Sequence, residues 1–202
     1  MLALGLALVP GAAAPAAAAD GRVVKSLREF RHERVVIQQF DLSCGAAALA
    51  TLLNYQHGDP VTEREIAREL IRREEYLANP DLVRIRHGFS FLDLKRYADG
   101  RGYRGVGLGR LTMADLEARA PVIVPVELRG FPHFVVFRGR VGDRVLLADP
   151  AFGTLTVRAD RFEAAWLDYG EHGRVGLVVE RRDGLPPPDR LRPSLDEFVL
   201  LR

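Results

Sequence analysis

Hydrophobic periodicity changes once along this chain, near residue 121, and that change confines the fold to helices followed by a sheet. Upstream the pattern is helical. Thr62-Glu63-Arg64-Glu65 is a capping box, and Ile66, Leu70 and Ile71 then recur at helical spacing. Arg64, Glu65, Arg68 and Arg72 fall on the wet face of that helix. Ser90 caps a further helix with Phe91, Leu94 and Tyr97 in one stripe. It stops at Gly100 and Gly102, and Thr112 opens a third helix. Downstream, β-rich runs cover 121–128, 133–137, 144–149, 154–157 and 174–179, punctuated by Gly, Pro and Asp, with one short helix over 159–166. Helices first and an antiparallel sheet afterwards is an α+β arrangement, N-terminal helices packed on a C-terminal sheet.

The ends read differently from the middle. Residues 1–19 carry no charge. An apolar run over 2–9 is followed by Pro10, Gly11 and an alanine-rich stretch closing Ala17-Ala18-Ala19-Asp20. An apolar core and then small residues is the pattern of a secretory signal peptide, 1–19, cut after Ala19. The usual basic start is missing, since no Lys or Arg precedes Arg22. The run is too short to span a bilayer, so no stable membrane insertion is expected once it is removed, and the mature protein is periplasmic or secreted. About 180 residues remain, enough for one domain over 20–183 with a sizeable core. Residues 184–202 are Pro-rich and charged and read as an extended tail, with 198–201 as an apolar stretch able to dock. The 29 basic and 27 acidic residues nearly balance, which argues against a nucleic-acid surface.

Cys44 is the single cysteine. It cannot pair within its own chain, so in an oxidising compartment it is either inert and buried or kept for its reactivity. It opens a helix-favouring, mostly apolar run over 46–55. A thiol in the first turn of a helix feels the positive end of the macrodipole, which lowers its pKa and favours thiolate.

His133 and Asp149 bracket a hairpin that turns at Val141-Gly142-Asp143. That geometry pairs them across the strands, side chains on one face and about 5 Å apart at Cβ. A carboxylate there accepts a hydrogen bond from one ring nitrogen and leaves the other to face a thiol. Each residue has a plainer alternative, His133 as a sheet-edge histidine and Asp149 as a strand end before Pro150. Jointly with Cys44 they follow the logic of an activated nucleophile. The tetrahedral intermediate also needs oxyanion donors. The backbone N–H of Cys44 is one, and Gln38 or Gln39 offers the other, although Gln39 and Asp41 also read as plain loop residues. His32 and His57 lie in polar stretches, His87 precedes a Gly, and His172 sits in the 170–173 loop. No pair has the spacing of a metal site on a helix, and no metal or other cofactor is expected.

These residues resemble the signatures of a known family. Gln38, five intervening residues and Cys44-Gly45-x-Ala47 form one block. His133-Phe134-Val135-Val136 with Asp149-Pro150-Ala151-Phe152-Gly153 forms the other. Together they resemble the bacteriocin-processing peptidases, papain-like cysteine proteases that cut leader peptides after a double glycine, over roughly residues 33–158. The resemblance implies a papain-like fold with Cys44 as nucleophile, His133 as general base then acid, Asp149 as orienter and Gln38 as oxyanion donor. Ser43 stands where an Asp often precedes the cysteine. Familiar members are front ends of ATP-driven exporters, whereas this sequence has no membrane bundle and no Gly-rich phosphate loop. It reads as a stand-alone exported relative, similar to peptidases that accompany export of fibre or amyloid subunits. The expected function is an exported cysteine endopeptidase acting on a peptide or protein, with an export system or a fibre subunit as candidate partner. A cell-wall peptide amidase and a non-catalytic binder of leaders or fibre subunits are the other readings. Double-glycine cleavage requires a narrow slot, and Gly130-Phe131-Pro132 offers a wall for it.

Overall fold

A computed structural model describes residues 25–85, 88–128 and 130–201; the expected leader and His87 lie outside them. The helical layer is set by local caps. After α1 (Leu27–Arg31) comes α2 (Cys44–Thr51), which continues as a π-helical turn over Leu52–Gln56. Its residues are alanine, leucine and other small side chains on every side, and every residue of α2 is buried, as a helix apolar all round must be. The expected capping box starts α3 (Glu63–Ile71): Glu65 N–H donates to Thr62 Oγ1 at 3.2 Å, and Thr62 N–H to the Glu65 carboxylate at 2.7 Å. Ile66 and Leu70 are buried, while Ile71 is exposed. Two short helices, α4 (Glu74–Ala78) and α5 (Leu82–Ile85), lead to α6 (Phe91–Gly100), capped by Ser90 and buried through Leu94 and Tyr97.

The sheet is antiparallel and six-stranded, in the order β1-β6-β2-β3-β4-β5. Its strands are β1 (Tyr103–Leu108), β2 (Val122–Leu128), β3 (Phe131–Val141), β4 (Arg144–Asp149), β5 (Gly153–Arg158) and β6 (Gly176–Arg181). The sequence pattern missed β1. Its glycines disguise it, and Gly105 is required: a Cβ there would lie 2.9 Å from the Lys95 backbone of α6. Both faces of the sheet are buried. Ile123, Val136, Ala148 and Leu177 pack with α2, α3 and α6. On the opposite face, Val122, Val124, Val135, Phe137 and Leu147 pack under α7 (Met113–Arg119) and α8 (Ala159–Ala165), against Leu116 and Phe162. Burial on both faces explains why β2 reads as a continuous apolar run and not as an alternating one.

Residues 184–201 are not a free extended tail. Asp189 and Arg190 N–H groups donate to the carbonyls of Gln56 and Tyr55, at 3.2 and 3.1 Å, and Leu191 enters the helix-side core. A last helix, α9 (Leu195–Leu200), buries Phe198, and with Leu201 this packs on Leu146 of β4. Beneath it the guanidinium of Arg138, fully buried, donates to both oxygens of Glu197 at 2.6 and 3.1 Å and to Leu191 O at 2.9 Å. The docking depends on pairing residues far apart in sequence, which a local pattern does not reveal.

Candidate active site

Cys44 is the first residue of α2, and its neighbour Ser43 makes no side-chain cap. The Ser43 hydroxyl turns the other way, to Phe40 O at 2.6 Å and to the Glu63 carboxylate. The N–H groups of Cys44, Gly45 and, from β3, Phe134 lie near enough to the sulfur to favour its thiolate. Phe134 packs against the helix start so closely that a Cβ on Gly45 would lie 3.2 Å from its ring. Cys44 is only 7 % exposed. Burial pushes it above the ordinary thiol value and outweighs the three N–H groups, which lower it; the Asp149 charge adds to the rise. This corrects the expectation of a resting thiolate. The helix end acts in the expected direction, but desolvation of the sulfur is the larger effect.

His133 follows Pro132 on β3 and is buried. Its Nε2–H donates to Asp149 Oδ2 at 2.9 Å, and Nδ1 lies at the long hydrogen-bond distance of 3.4 Å from the Phe131 carbonyl. Asp149 Oδ1 accepts the N–H groups of Ala151 and Phe152 at 2.8 and 3.2 Å, so the carboxylate is held on its far side by backbone. The two residues are not directly opposed, as the simple hairpin count requires. A bulge between Phe137 and Gly139 shifts the register, with Val136 opposite Ala148. Continuing that register puts Asp149 across from Val135, two residues from His133 on the same face, and the ring spans the diagonal.

Cys44 and His133 both line one cleft of about 840 Å³, whose walls are mostly apolar. Phe91 stacks on Phe134 at 4.8 Å along one side. Leu108 of β1, Tyr169 and His172 line another part. Pro132 is also a wall, but Phe131 is not; it lies half-exposed beside His133 and Phe152. Gln38 does not line the cleft. Its N–H donates to Pro150 O at 2.9 Å, next to Asp149, and its side-chain amide donates to Phe40 O at 3.3 Å. Gln39 and Asp41 are exposed. Among the other histidines, His32 is exposed, whereas His57 is not polar-surrounded as expected. His57 is buried against Tyr103 with Nε2 donating to Val179 O at 3.1 Å, and burial lowers its pKa. No local pattern marks His172, Tyr169 and Leu108 as lining the cleft, because loops and the glycine-rich β1 carry them there.

Comparison with known proteins decides the family. The model described as the peptidase C39 family matches residues 32–170. The chain belongs to the peptidase C39 family. This C39 chain is 39% identical over 183 residues to a probable functional amyloid protease, FapD, of Pseudomonas aeruginosa, spanning 89% of this chain and 78% of that one. A FapD of Pseudomonas fluorescens is 40% identical over 156 residues, 76% of this chain and 66% of the relative. In fold it is similar to the peptidase domain of Streptococcus ComA, a bifunctional ABC transporter involved in quorum sensing, with a TM-score of 0.58 at 17% identity over 75% of this chain and 100% of that domain. A double glycine motif protease from an AMS/PCAT transporter, solved with its leader peptide, gives a TM-score of 0.50 at 22% identity, over 73% and 90% of the two chains. The architecture is thus the papain-like α+β fold of C39 peptidase domains, and the protein is a cysteine peptidase.

Proposed function

We propose that this C39 peptidase cleaves a peptide or protein substrate outside the cytoplasm, immediately after a Gly-Gly pair, through a thioester acyl-enzyme. The observation that carries the reading is the shared cleft: the thiol at the head of α2 and the imidazole of His133 line it, while the second ring nitrogen is committed to Asp149. Cys44 is the nucleophile and His133 the base. Burial raises the thiol's pKa, so its proton passes to Nδ1, released from its long contact with Phe131 O, as the sulfur attacks the scissile carbonyl carbon. The oxyanion faces the Cys44 N–H and the Gln38 amide, which is freed from Phe40 O by side-chain rotation. Collapse expels the amine, protonated by His133. Water, deprotonated by the same ring, then cleaves the thioester and frees the carboxylate product and the thiol. Asp149 orients the ring and favours the imidazolium that forms.

The crowding of Phe134, Phe91 and Pro132 beside Cys44 supports a slot for residues without side chains. The names of the two Pseudomonas relatives support a substrate from functional-amyloid assembly, with a fibre subunit or its export machinery as partner. The uncharged, alanine-ended stretch over 1–19 supports a cleaved leader and a periplasmic or secreted protein. The test is cleavage of a quenched fluorescent peptide with Gly-Gly before the scissile bond, beside its Val-Val counterpart. Turnover of the first alone is expected. Preference for a bulky residue before the cut, or hydrolysis of a γ-D-glutamyl stem peptide instead, defeats the reading.

A further inference from the structure

The loop that delivers Cys44 is bent against its own preference. Leu42 is a bulky residue held at φ +66°, in the left-handed region. Its carbonyl is pressed against Gly88, where a Cβ would come within 2.8 Å of that oxygen. Such a conformation persists only where the surroundings over-determine it. Here the restraint comes from another element. Glu63, first residue of α3, is 4 % exposed, and among the described residues its carboxylate collects donors from the loop alone. It accepts Gln39 N–H at 3.1 and 3.0 Å, Phe40 N–H at 3.3 Å, and the Ser43 hydroxyl. Among the described residues no Lys or Arg pairs with it. Nor does α3 need it as a cap, because Thr62 and Glu65 already close the reciprocal box.

The two ends of this loop are Gln38 and Cys44. The backbone of Gln38 is tethered by its N–H to Pro150 O, while its amide rests on Phe40 O until it turns to the oxyanion. A carboxylate that fixes Gln39, Phe40 and Ser43 therefore fixes the spacing between the sulfur and the amide that must meet at one carbonyl group. We propose that Glu63 is a positioning residue for acyl transfer, holding the oxyanion side and the nucleophile side of the site in register. This rests on the roles given above to Cys44 and Gln38. Glu63 touches no reacting atom; it acts through the loop.

The experiment uses the full mature chain with Glu63→Gln, Ser43→Asp and the double variant. Loop hold is read as amide hydrogen exchange at Gln39 and Phe40. Chemistry is read as the p-nitrophenolate burst from p-nitrophenyl acetate, together with kcat and KM on the Gly-Gly peptide. Glu63→Gln turns an acceptor-only group into one that also presents N–H groups to three donors. Faster exchange at both amides is expected, with acylation and kcat down about 10- to 100-fold and KM little changed, the loss typical of a site loosened by an ångström or less. Ser43→Asp sets two carboxylates against each other and slows acylation too. The double variant restores a complementary pair, carboxylate at 43 and amide at 63, and regains most of the rate. Multiplying losses in the double variant, or wild-type exchange and kcat in a folded Glu63→Gln, overturns the proposal. If Glu63→Gln does not fold, Glu63→Asp, one methylene short of the loop, must still speed exchange and slow the burst, and unchanged values overturn the proposal. A wild-type protein with neither burst nor turnover refutes the peptidase roles instead, and the exchange arm still decides whether Glu63 holds the loop.

Discussion

Glu197→Ala tests whether the C-terminal segment is part of the fold. Its carboxylate is nearly dry, and its partner guanidinium is completely so, with side chains 3% and 0% exposed. An exposed ion pair contributes about 0–1 kcal/mol, but removing one partner of a buried pair strands a charge and costs about 3–5 kcal/mol. Among the described residues the stranded Arg138 would keep only its bond to Leu191 O, which lies in the same segment. In a domain of this size 1 kcal/mol moves the melting temperature by about 2–4 °C, so the expected fall is about 6–20 °C. The assay is thermal unfolding followed by circular dichroism, with Glu180→Ala as the control. Glu180 pairs with Arg104 across β1 and β6, but both side chains are more than a third exposed. Its loss should cost no more than about 1 kcal/mol. If Glu197→Ala falls no further than Glu180→Ala, the buried pair does not anchor α9 and the reasoning fails.

Four further outcomes are expected. Cys44→Ala should abolish turnover of the Gly-Gly peptide in a folded protein. Asp149→Asn should cost at least about 100-fold, approaching the ~10⁴ of a locked wrong tautomer, because the N–H groups of Ala151 and Phe152 hold Oδ1 and force the new amide to face Nε2; full activity would mean that another group orients His133. Gln38→Ala should lower kcat by about 100- to 1000-fold and the exposed Gln39→Ala far less, and the reverse ranking would reassign the oxyanion donor. Burial holds the Cys44 thiol above its usual value, so alkylation by iodoacetamide should keep climbing with pH through the ordinary thiol range near about 8.5; a plateau by pH 6 would show that the helix end and His133 outweigh burial.

What the sequence told, it told through short-range chemistry. The reciprocal caps at Thr62, Ser90 and Thr112 are contained within four residues each, and all three start helices. The pairing of His133 with Asp149 was also legible, although by a diagonal that a bulge creates and no hairpin count foresees. What stayed hidden depends on distant contacts. Strand β1 is recognisable only once α6 presses on Gly105. The acidity of Cys44 turns on how deeply its helix is buried, which the first-turn position does not disclose. Glu63 sits inside a capping box yet takes no part in it, and only the folded loop gives it a role. Arg138 reads as one arginine among many until Glu197 arrives from 59 residues away.

The candidate reactive pair straddles the boundary between the helical layer and the sheet. The sulfur belongs to α2, and the imidazole with its carboxylate belongs to β3 and β4; Cys44 and His133 line one cleft, beside which Gly45 seats against Phe134. Neither layer alone carries a complete set. A chain severed in the connection near residues 109–112 should give two inert pieces whose reassociation restores hydrolysis, in the manner of a split reporter. By the same arithmetic, a chain that stops before β3 and β4 should hydrolyse nothing, and activity should appear only once both layers are present.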